Sequence, residues 1–323
     1  MGGRPGMTVS VAIVTYNSAH TLSTLTASLE AQRGVDFEVL ITDNASTDQT
    51  VELLEKLQPG ACRRNRENSG YTQAQNQNIG RSQGRYVLFL NPDVSFGSQL
   101  LATMAQFLDA HPEFAIAGPT VLEGPAGTCF PPRHFYPGEG MSALEPEWVR
   151  TEIAWVNGCC LMIRREVLEE LQGLDPAFFL YQEETDLCFR ARRCGHRVGW
   201  CQAAGLQHSG KQSQTDLSKK ERARRVYEGN VTFWQKHYPP QKMAAMMRFQ
   251  VWACRLLLWL SPSASSLPGV GREALLARLA VCEEWQRRQG GKVRWLEISR
   301  ILVRQSQLLA RWAIRGSYPL DDY

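Results

Sequence analysis

The sequence predicts an α/β fold, a mostly parallel central sheet flanked by helices, followed by a helical extension at the C-terminal end. Three observations predict it. Short β-branched and apolar runs alternate with segments of helical spacing, joined by connections of a few residues. Polar residues bunch at the carboxyl ends of three of those runs, where open α/β sheets bind their ligands. The charge also divides the chain: up to Gly210 there are 16 Lys and Arg against 23 Asp and Glu, net −7, and from Lys211 to Tyr323 there are 20 against 9, net +11.

Each element follows from its residues. Thr8-Val9-Ser10-Val11-Ala12-Ile13-Val14-Thr15 reads as the first strand, and leucines at helical spacing give a helix over Ser18 to Gln32. Phe37 to Thr42 is a second strand that ends on Asp43 and Asn44, with a helix from near Ser46 or Thr47 to Leu57. A weak third strand lies near Cys62, then a helix from Tyr71 to Gln83. Tyr86 to Leu90 is a fully apolar fourth strand that stops at Asn91-Pro92-Asp93. Gly118 to Trp148 is rich in proline and glycine and reads as a long surface segment of the kind that covers a site. Order returns with Ile153 to Arg164, a short helix from Arg165 to Leu171, an acidic helix over Tyr181 to Arg193 and a strand near Gly199 to Ala203. Beyond Lys211 the chain reads as basic helices, including Met243 to Leu260, Leu275 to Arg288 and Val293 to Ile314.

Composition excludes several classes. With 43% hydrophobic and 21% charged residues in a chain of 323, the protein is neither disordered nor collagen-like. Nine cysteines form no Cys-x-x-Cys pair and histidines number six, which argues against a structural zinc site and for reduced, cytosolic thiols. No run of about 20 apolar residues is present, so no ordinary transmembrane span is expected. Met1 to Gly6 reads as a Gly/Arg/Pro tail rather than a signal peptide. The expected organisation is a disordered tail over 1–6, the α/β domain over 7–212 and a basic helical extension over 213–323.

Four constellations carry chemistry. A carboxylate directly after a buried strand, as in Asn91-Pro92-Asp93, can meet Mg or Mn on a diphosphate; the alternative is a plain Asn-Pro turn. In Tyr181-Gln182-Glu183-Glu184-Thr185-Asp186, crowded carboxylates raise one another's pKa, which suits a general base; the alternative is a solvated acidic first helical turn. His208, 24 residues past Glu184, is either a satisfied polar residue or a ligand. Asn68-Ser69-Gly70-Tyr71 and Asn76-Gln77-Asn78 put amides and a glycine at a helix N-terminus, a nucleotide contact in outline.

Their order along the chain adds specificity. Val14-Thr15-Tyr16-Asn17, Asp43-Asn44-Ala45-Ser46-Thr47-Asp48, Asn68-x-Gly70-Tyr71, Phe89-Leu90-Asn91-Pro92-Asp93, Trp155-Val156-Asn157-Gly158 and Tyr181-x-Glu183-Glu184-x-Asp186-Leu187-Cys188-x-Arg190 occur in sequence. Over Val9 to Gly210 this resembles the family 2 inverting glycosyltransferases, in particular their rhamnosyltransferase-like branch. The resemblance implies the GT-A fold, Rossmann-like for a nucleotide sugar and joined to an acceptor-binding half. It implies nucleotide-sugar contacts at Thr15, Tyr16, Asn17, Asp43, Asn44, Asn68, Gly70, Asn76 and Asn91, with Trp155, Asn157, Gly158 and Asp186 in the acceptor or sugar region. Asp93 and His208 fall at metal-ligand positions, with Asn91 standing where a carboxylate is usual. Glu184 falls at the catalytic base, where Asp is usual, with Glu183 as fallback, and Asn78 stands where many relatives have Gly.

The implied reaction is one displacement with inversion: the acceptor hydroxyl attacks the anomeric carbon, Glu184 takes its proton, and a divalent cation steadies the leaving diphosphate. The expected donor is dTDP-L-rhamnose and the expected acceptor a lipid-linked or cell-envelope glycan; a UDP-hexose donor and a catalytically silent binding relative are the alternatives. Polysaccharide synthases of the same family add a Gln-x-x-Arg-Trp motif and membrane spans. Here Gln307-Leu308-Leu309-Ala310-Arg311-Trp312 has one residue too many, so a single-addition enzyme is expected. In Met243 to Leu260, Arg248 and Arg255 share a helical face beside Trp252 and Trp259. Such a helix lies in an anionic membrane interface or packs on the domain; peripheral attachment to the inner face of the cytoplasmic membrane is the expectation, and nucleic acid is not.

Overall fold

The computed structural model describes residues 7–57, 62–124, 126–137, 153–209, 218–260 and 272–289. The tail at 1–6, residues 125 and 138–148 of the loop expected up to Trp148, the helix expected over 293–314 and the Gln307–Trp312 stretch lie outside them. The chain divides into two compact units near residue 215.

The first unit is built on one sheet. β1 (Val9–Thr15), β2 (Phe37–Asp43), β3 (Cys62–Arg64) and β4 (Tyr86–Leu90) pair in parallel in the order β3-β2-β1-β4. Every residue of β1 and β4 is buried, as continuous apolar runs in a parallel sheet must be when helices cover both faces. Because the four strands run the same way, their carboxyl ends share one edge. Beyond β4 the sheet continues through β8 (Cys160–Arg164), β6 (Phe114–Glu123), β9 (Arg197–His208) and β5 (Val94–Phe96), with β7 (Thr128–Phe130) paired to β6. Antiparallel pairs enter here, β4–β8, β6–β8, β5–β9 and β6–β7, while β6–β9 is parallel.

The flanking helices are α1 (Leu22–Glu30), α2 (Thr50–Leu57), α3 (Tyr71–Ile79), α4 (Leu100–Ala110), α5 (Arg165–Glu170) and α6 (Glu183–Arg193). Three start or stop inside the ranges the sequence predicts, each for a polar reason. The segment before α1 is held as a loop, Ser18 N donating to Thr50 Oγ1 at 2.7 Å and Ala19 N to Asp48 Oδ2 at 3.2 Å. The same Asp48 and Thr50 delay α2. After α3 the chain turns away, and Gly84 N donates to Ser10 Oγ at 2.8 Å. Asn78 and Gln75, both wholly buried, donate to the β1 carbonyls of Ile13 at 2.9 Å and Ala12 at 3.0 Å, fastening α3 to the sheet. Asn78 Oδ1 also accepts from Thr42 Oγ1 at 2.7 Å, which gives the amide at this position a structural role.

The expectation of an unbroken loop from Gly118 is corrected. Gly118 and Pro119 lie within β6, and Pro119 falls where the β6–β9 register shifts, a place that tolerates a missing N–H.

The second unit contains α7 (Lys219–His237), α8 (Pro240–Leu260) and α9 (Arg272–Arg288). α7 opens with a capping box, Ser218 Oγ accepting from Glu221 N at 3.2 Å while Glu221 Oε2 accepts from Ser218 N at 3.0 Å. Its interior holds Tyr227, Val231, Met247, Cys254, Leu275 and Cys282. α8 packs on α9 and buries Met243, Met246, Met247, Val251 and Cys254, while Trp259 near its end is 75% exposed. Among the described residues no helix is long and apolar enough to cross a membrane.

Candidate active site

Three groups of residues gather at the carboxyl edge of the first four strands. The first belongs to β1, β2 and the start of α3. Thr15 and Asp43 are wholly buried, with Thr15 Oγ1 donating to Asp43 Oδ1 at 3.0 Å. Asp43 Oδ2 accepts from Ser46 N at 2.9 Å, closing a turn in which Ala45 is left-handed at φ 66°. Asn17, also left-handed at φ 50°, accepts from Thr47 N at 2.8 Å. Asn44 Oδ1 accepts from Asn65 Nδ2 and Ser69 N, each at 3.1 Å, and Asn44 Nδ2 donates to Asn68 Oδ1 at 2.8 Å. Asn68 Oδ1 in turn accepts from Gly70 N at 3.0 Å. Thr15, Asp43, Asn44, Asn68 and Gly70 therefore form one network that fixes the rim, and Tyr16 stands 39% exposed upon it.

Gly70 is required by contact as well as by its φ of 87°. A Cβ there would lie 2.8 Å from both the ring and the carbonyl oxygen of Phe179. Tyr71 N donates to that same carbonyl at 2.7 Å, tying the start of α3 to the chain that leads into α6.

Asn76, expected at the nucleotide, has both ends of its amide on backbone, Nδ2 donating to Leu174 O at 2.8 Å and Oδ1 accepting from Leu174 N at 3.0 Å.

The second group spans three neighbouring strands. Asp93, between β4 and β5, is 2% exposed, and its Oδ1 lies 3.3 Å from Nε2 of His208, the last residue of β9. His208 Nδ1 lies 3.4 Å from Oε1 of Glu123, the last residue of β6. Burial alone would lower the imidazole pKa, but its hydrogen bonds to Asp93 and Glu123 raise it to about 9. Two ligands at right angles on an octahedral cation, each about 2.1 Å from it, stand about 3 Å apart. The Asp93–His208 spacing fits that arrangement. Among the described residues no three His, Cys, Asp or Glu side chains gather as a metal cage. A pair at this spacing could hold Mg or Mn, cations that take further oxygens from phosphate and water. Asn91 directly follows β4, its N–H donating to Cys159 O at 2.9 Å.

The third group opens α6. Tyr181 and Gln182 are both left-handed at φ 71°, a conformation costing about 1–2 kcal/mol per non-glycine residue, and the turn delivers Glu183 and Glu184 into the interior. Burial pushes the Glu184 carboxyl up to about 7 against backbone hydrogen bonds that pull it down. Burial and then the Glu184 charge push Glu183 well above the usual carboxylate range. The two titrate as a pair.

Asn157-Gly158-Cys159 joins the second and third groups. A Cβ on Gly158 would lie 3.2 Å from Glu184 Cδ, so the base candidate rests directly on this glycine. Asn157 Nδ2 donates to Glu123 Oε1 at 3.3 Å, while Asn157 Oδ1 accepts from Cys159 N at 2.9 Å. Gly158→Ala is expected to displace the Glu184 carboxyl and lower kcat by about 10–100-fold with little change in donor KM, as misplacement of a reacting group does; steady-state kinetics beside a thermal melt checks it.

Asp186 and Trp155, expected in the acceptor or sugar region, both lie in the interior. Asp186 is wholly buried and ion-paired to Arg190 Nε at 2.6 Å, and Arg190 also donates to Leu171 O at 2.8 Å and Gly173 O at 3.0 Å, which anchors α6. Trp155 is 5% exposed with its indole N–H on Phe135 O at 3.0 Å, a core residue. Sequence reasoning missed Glu123; its only signal was an acid closing the apolar run Phe114 to Leu122.

Comparison with known proteins fits this geometry. A family model described as Glycosyl transferase family 2 matches residues 10–172. A protein of Mycobacterium tuberculosis named N-acetylglucosaminyl-diphospho-decaprenol L-rhamnosyltransferase is 27% identical over 230 residues, 61% of this chain and 75% of that protein. A low-salt glycan biosynthesis hexosyltransferase of Haloferax volcanii is 26% identical over 226 residues, 64% of this chain and 69% of its own. Among solved structures, a mannosyltransferase from Pyrobaculum calidifontis in complex with GDP-Man and Mn2+ has a TM-score of 0.55 at 16% identity, over 99% of this chain and 84% of that one. Staphylococcus aureus TarS 1–349 in complex with UDP has a TM-score of 0.51 at 17% identity, over 89% and 93%. At these identities the structures speak to fold alone.

Proposed function

Since the chain belongs to glycosyl transferase family 2 and is a glycosyltransferase of the GT-A fold, we propose that it transfers one sugar from a nucleotide sugar to a hydroxyl of a lipid-linked or cell-envelope glycan, with inversion. One observation carries this: the Asn157–Cys159 turn touches Glu184 through Gly158 and the Glu123–His208–Asp93 row through Asn157, so one turn links a base candidate to an anion-steadying pair. Glu184 accepts the acceptor's hydroxyl proton, its pKa brought near neutrality by burial, and Glu183 beside it is the second candidate. Asp93 and His208 would hold a Mg or Mn ion, which when bound supplies positive charge to the leaving diphosphate. Thr15, Asp43, Asn44, Asn68 and Gly70 shape the rim against which base and ribose lie, with Tyr16, Asn17 and Asn91 nearest the nucleotide.

L-rhamnose from dTDP-rhamnose is the proposed donor, supported by the name of the mycobacterial relative. A UDP-hexose is the second reading, favoured by the hexosyltransferase name of the haloarchaeal one. Titration calorimetry with dTDP and UDP, each with and without Mn2+, tests both. Metal-dependent binding that prefers one base supports the transferase reading and names the donor class. A folded protein that binds neither nucleotide overturns the donor-site assignment.

The net charge of +11 beyond Lys211 and the exposed Trp259 support peripheral contact with an anionic membrane on its cytoplasmic face. The protein is expected to co-sediment with vesicles containing phosphatidylglycerol at 0.1 M salt and to be largely released near 1 M, where the Debye length is about 3 Å. Equal recovery with neutral vesicles would count against it.

A further inference from the structure

We propose that Glu123 is a positioning residue that holds the His208 ring with Nε2 turned to Asp93; this rests on the metal reading of Asp93 and His208 given above. An imidazole that ligates a cation presents one nitrogen and steadies the other on an acceptor, commonly a carboxylate, and the choice of nitrogen follows from that second contact. In this chain Nε2 lies 3.3 Å from Asp93 Oδ1 and Nδ1 lies 3.4 Å from Glu123 Oε1. The two nitrogens thereby have different partners on opposite sides of the ring. Glu123 is itself held, accepting from Asn157 Nδ2 at 3.3 Å. Its side chain is 26% exposed against 14% for His208 and 0% for Asp93, so it closes the outer end of the row.

The register of the sheet builds this arrangement. β9 lies between β6 and β5, with Glu123 the direct partner of His208 on one side and Val94, next to Asp93, on the other. That pairing exists because β9 slips by three residues at Gln202–Ala204: Pro119 pairs Cys201, and Thr120 pairs Gly205. Without the slip Glu123 would face Gly205. An odd slip also reverses which face the following side chains take. Three extra residues in β9 thus bring His208 level with a carboxylate that no local motif contains.

The test uses the full chain with Mn2+ in the presence of UDP or dTDP, whichever binds, read by pulsed EPR for the 14N modulation of a directly ligating imidazole and by titration for affinity. Wild-type protein is expected to show the modulation and His208→Ala to lack it. Glu123→Ala is expected to weaken Mn2+ binding by about 10–100-fold and to attenuate the modulation, as loss of an outer-shell partner does. Glu123→Gln keeps an acceptor oxygen and is expected to restore both to within a few-fold of wild type. Should the alanine variant fail to fold, Glu123→Ser carries the same expectation. Full modulation and unchanged affinity in Glu123→Ala overturn the positioning role while leaving the metal reading intact. Wild-type protein that binds no Mn2+, or binds it without nitrogen modulation, overturns the metal reading and this inference with it.

Discussion

Glu184→Gln is expected to lower kcat by about 10²–10⁴-fold, the usual contribution of a positioned general base, while nucleotide binding and the thermal transition stay close to wild type. The amide keeps the carboxylate's shape on Gly158 but cannot accept a proton. Wild-type kcat is expected to rise with pH through about 7 and then level, since only the ionised Glu184 carboxylate takes the acceptor's proton. Stability moves the other way. The carboxyl holds its proton up to about 7 in the folded chain against an ordinary value of 4.5, so between those pH values the folded state binds more protons than the unfolded state. Stability is therefore full below 4.5 and declines as pH rises through 7. Glu184→Gln is expected to flatten that decline. A variant that retains wild-type turnover and its pH limb would remove Glu184 from the base role.

Arg190→Ala is expected to destabilise the first unit by about 3–5 kcal/mol, because it leaves the wholly buried Asp186 without its cation. For a unit of this size that lowers Tm by about 6–20 °C. Arg190 also ends two carbonyls, Leu171 and Gly173, through separate nitrogens, so Arg190→Lys is expected to recover only part of the loss. Replacing both partners, Asp186→Leu with Arg190→Met, is expected to cost less than Arg190→Ala alone, since no buried charge remains. Differential scanning calorimetry on the three variants decides it; a double variant that loses as much as Arg190→Ala or more would show that the pair is not a unit.

What was legible in the sequence follows from how local each feature is. β4 is apolar throughout and β1 mostly so, and the polar clusters that end them mark the sheet edge without help from anything distant. Asp93, Glu184 and His208 were legible as types of residue in an order. β6 was not, because Gly118 and Pro119 are loop residues by every local measure and are accommodated only by a register shift against a strand about 80 residues away. Glu123 was hidden for the same reason. The structural bonds of Asn76 and Asp186 were not legible because they run through the Leu174 backbone and an Arg190 that also forks onto two carbonyls, and backbone acceptors leave no mark in the sequence. Polar residues near a site edge are ambiguous until backbone acceptors are counted.

The hydrogen bond from Tyr71 N to Phe179 O has a kinetic consequence. It joins the loop of Asn68 and Gly70, on the donor side, to a stretch of chain two residues before the left-handed pair that launches α6. A nucleotide that stiffens the loop stiffens the launch point of the base by the same bond. On the proposed reading, donor and acceptor are then coupled through this backbone bond. The order of substrate addition is expected to be compulsory, donor first, with the acceptor's apparent KM falling as donor concentration rises.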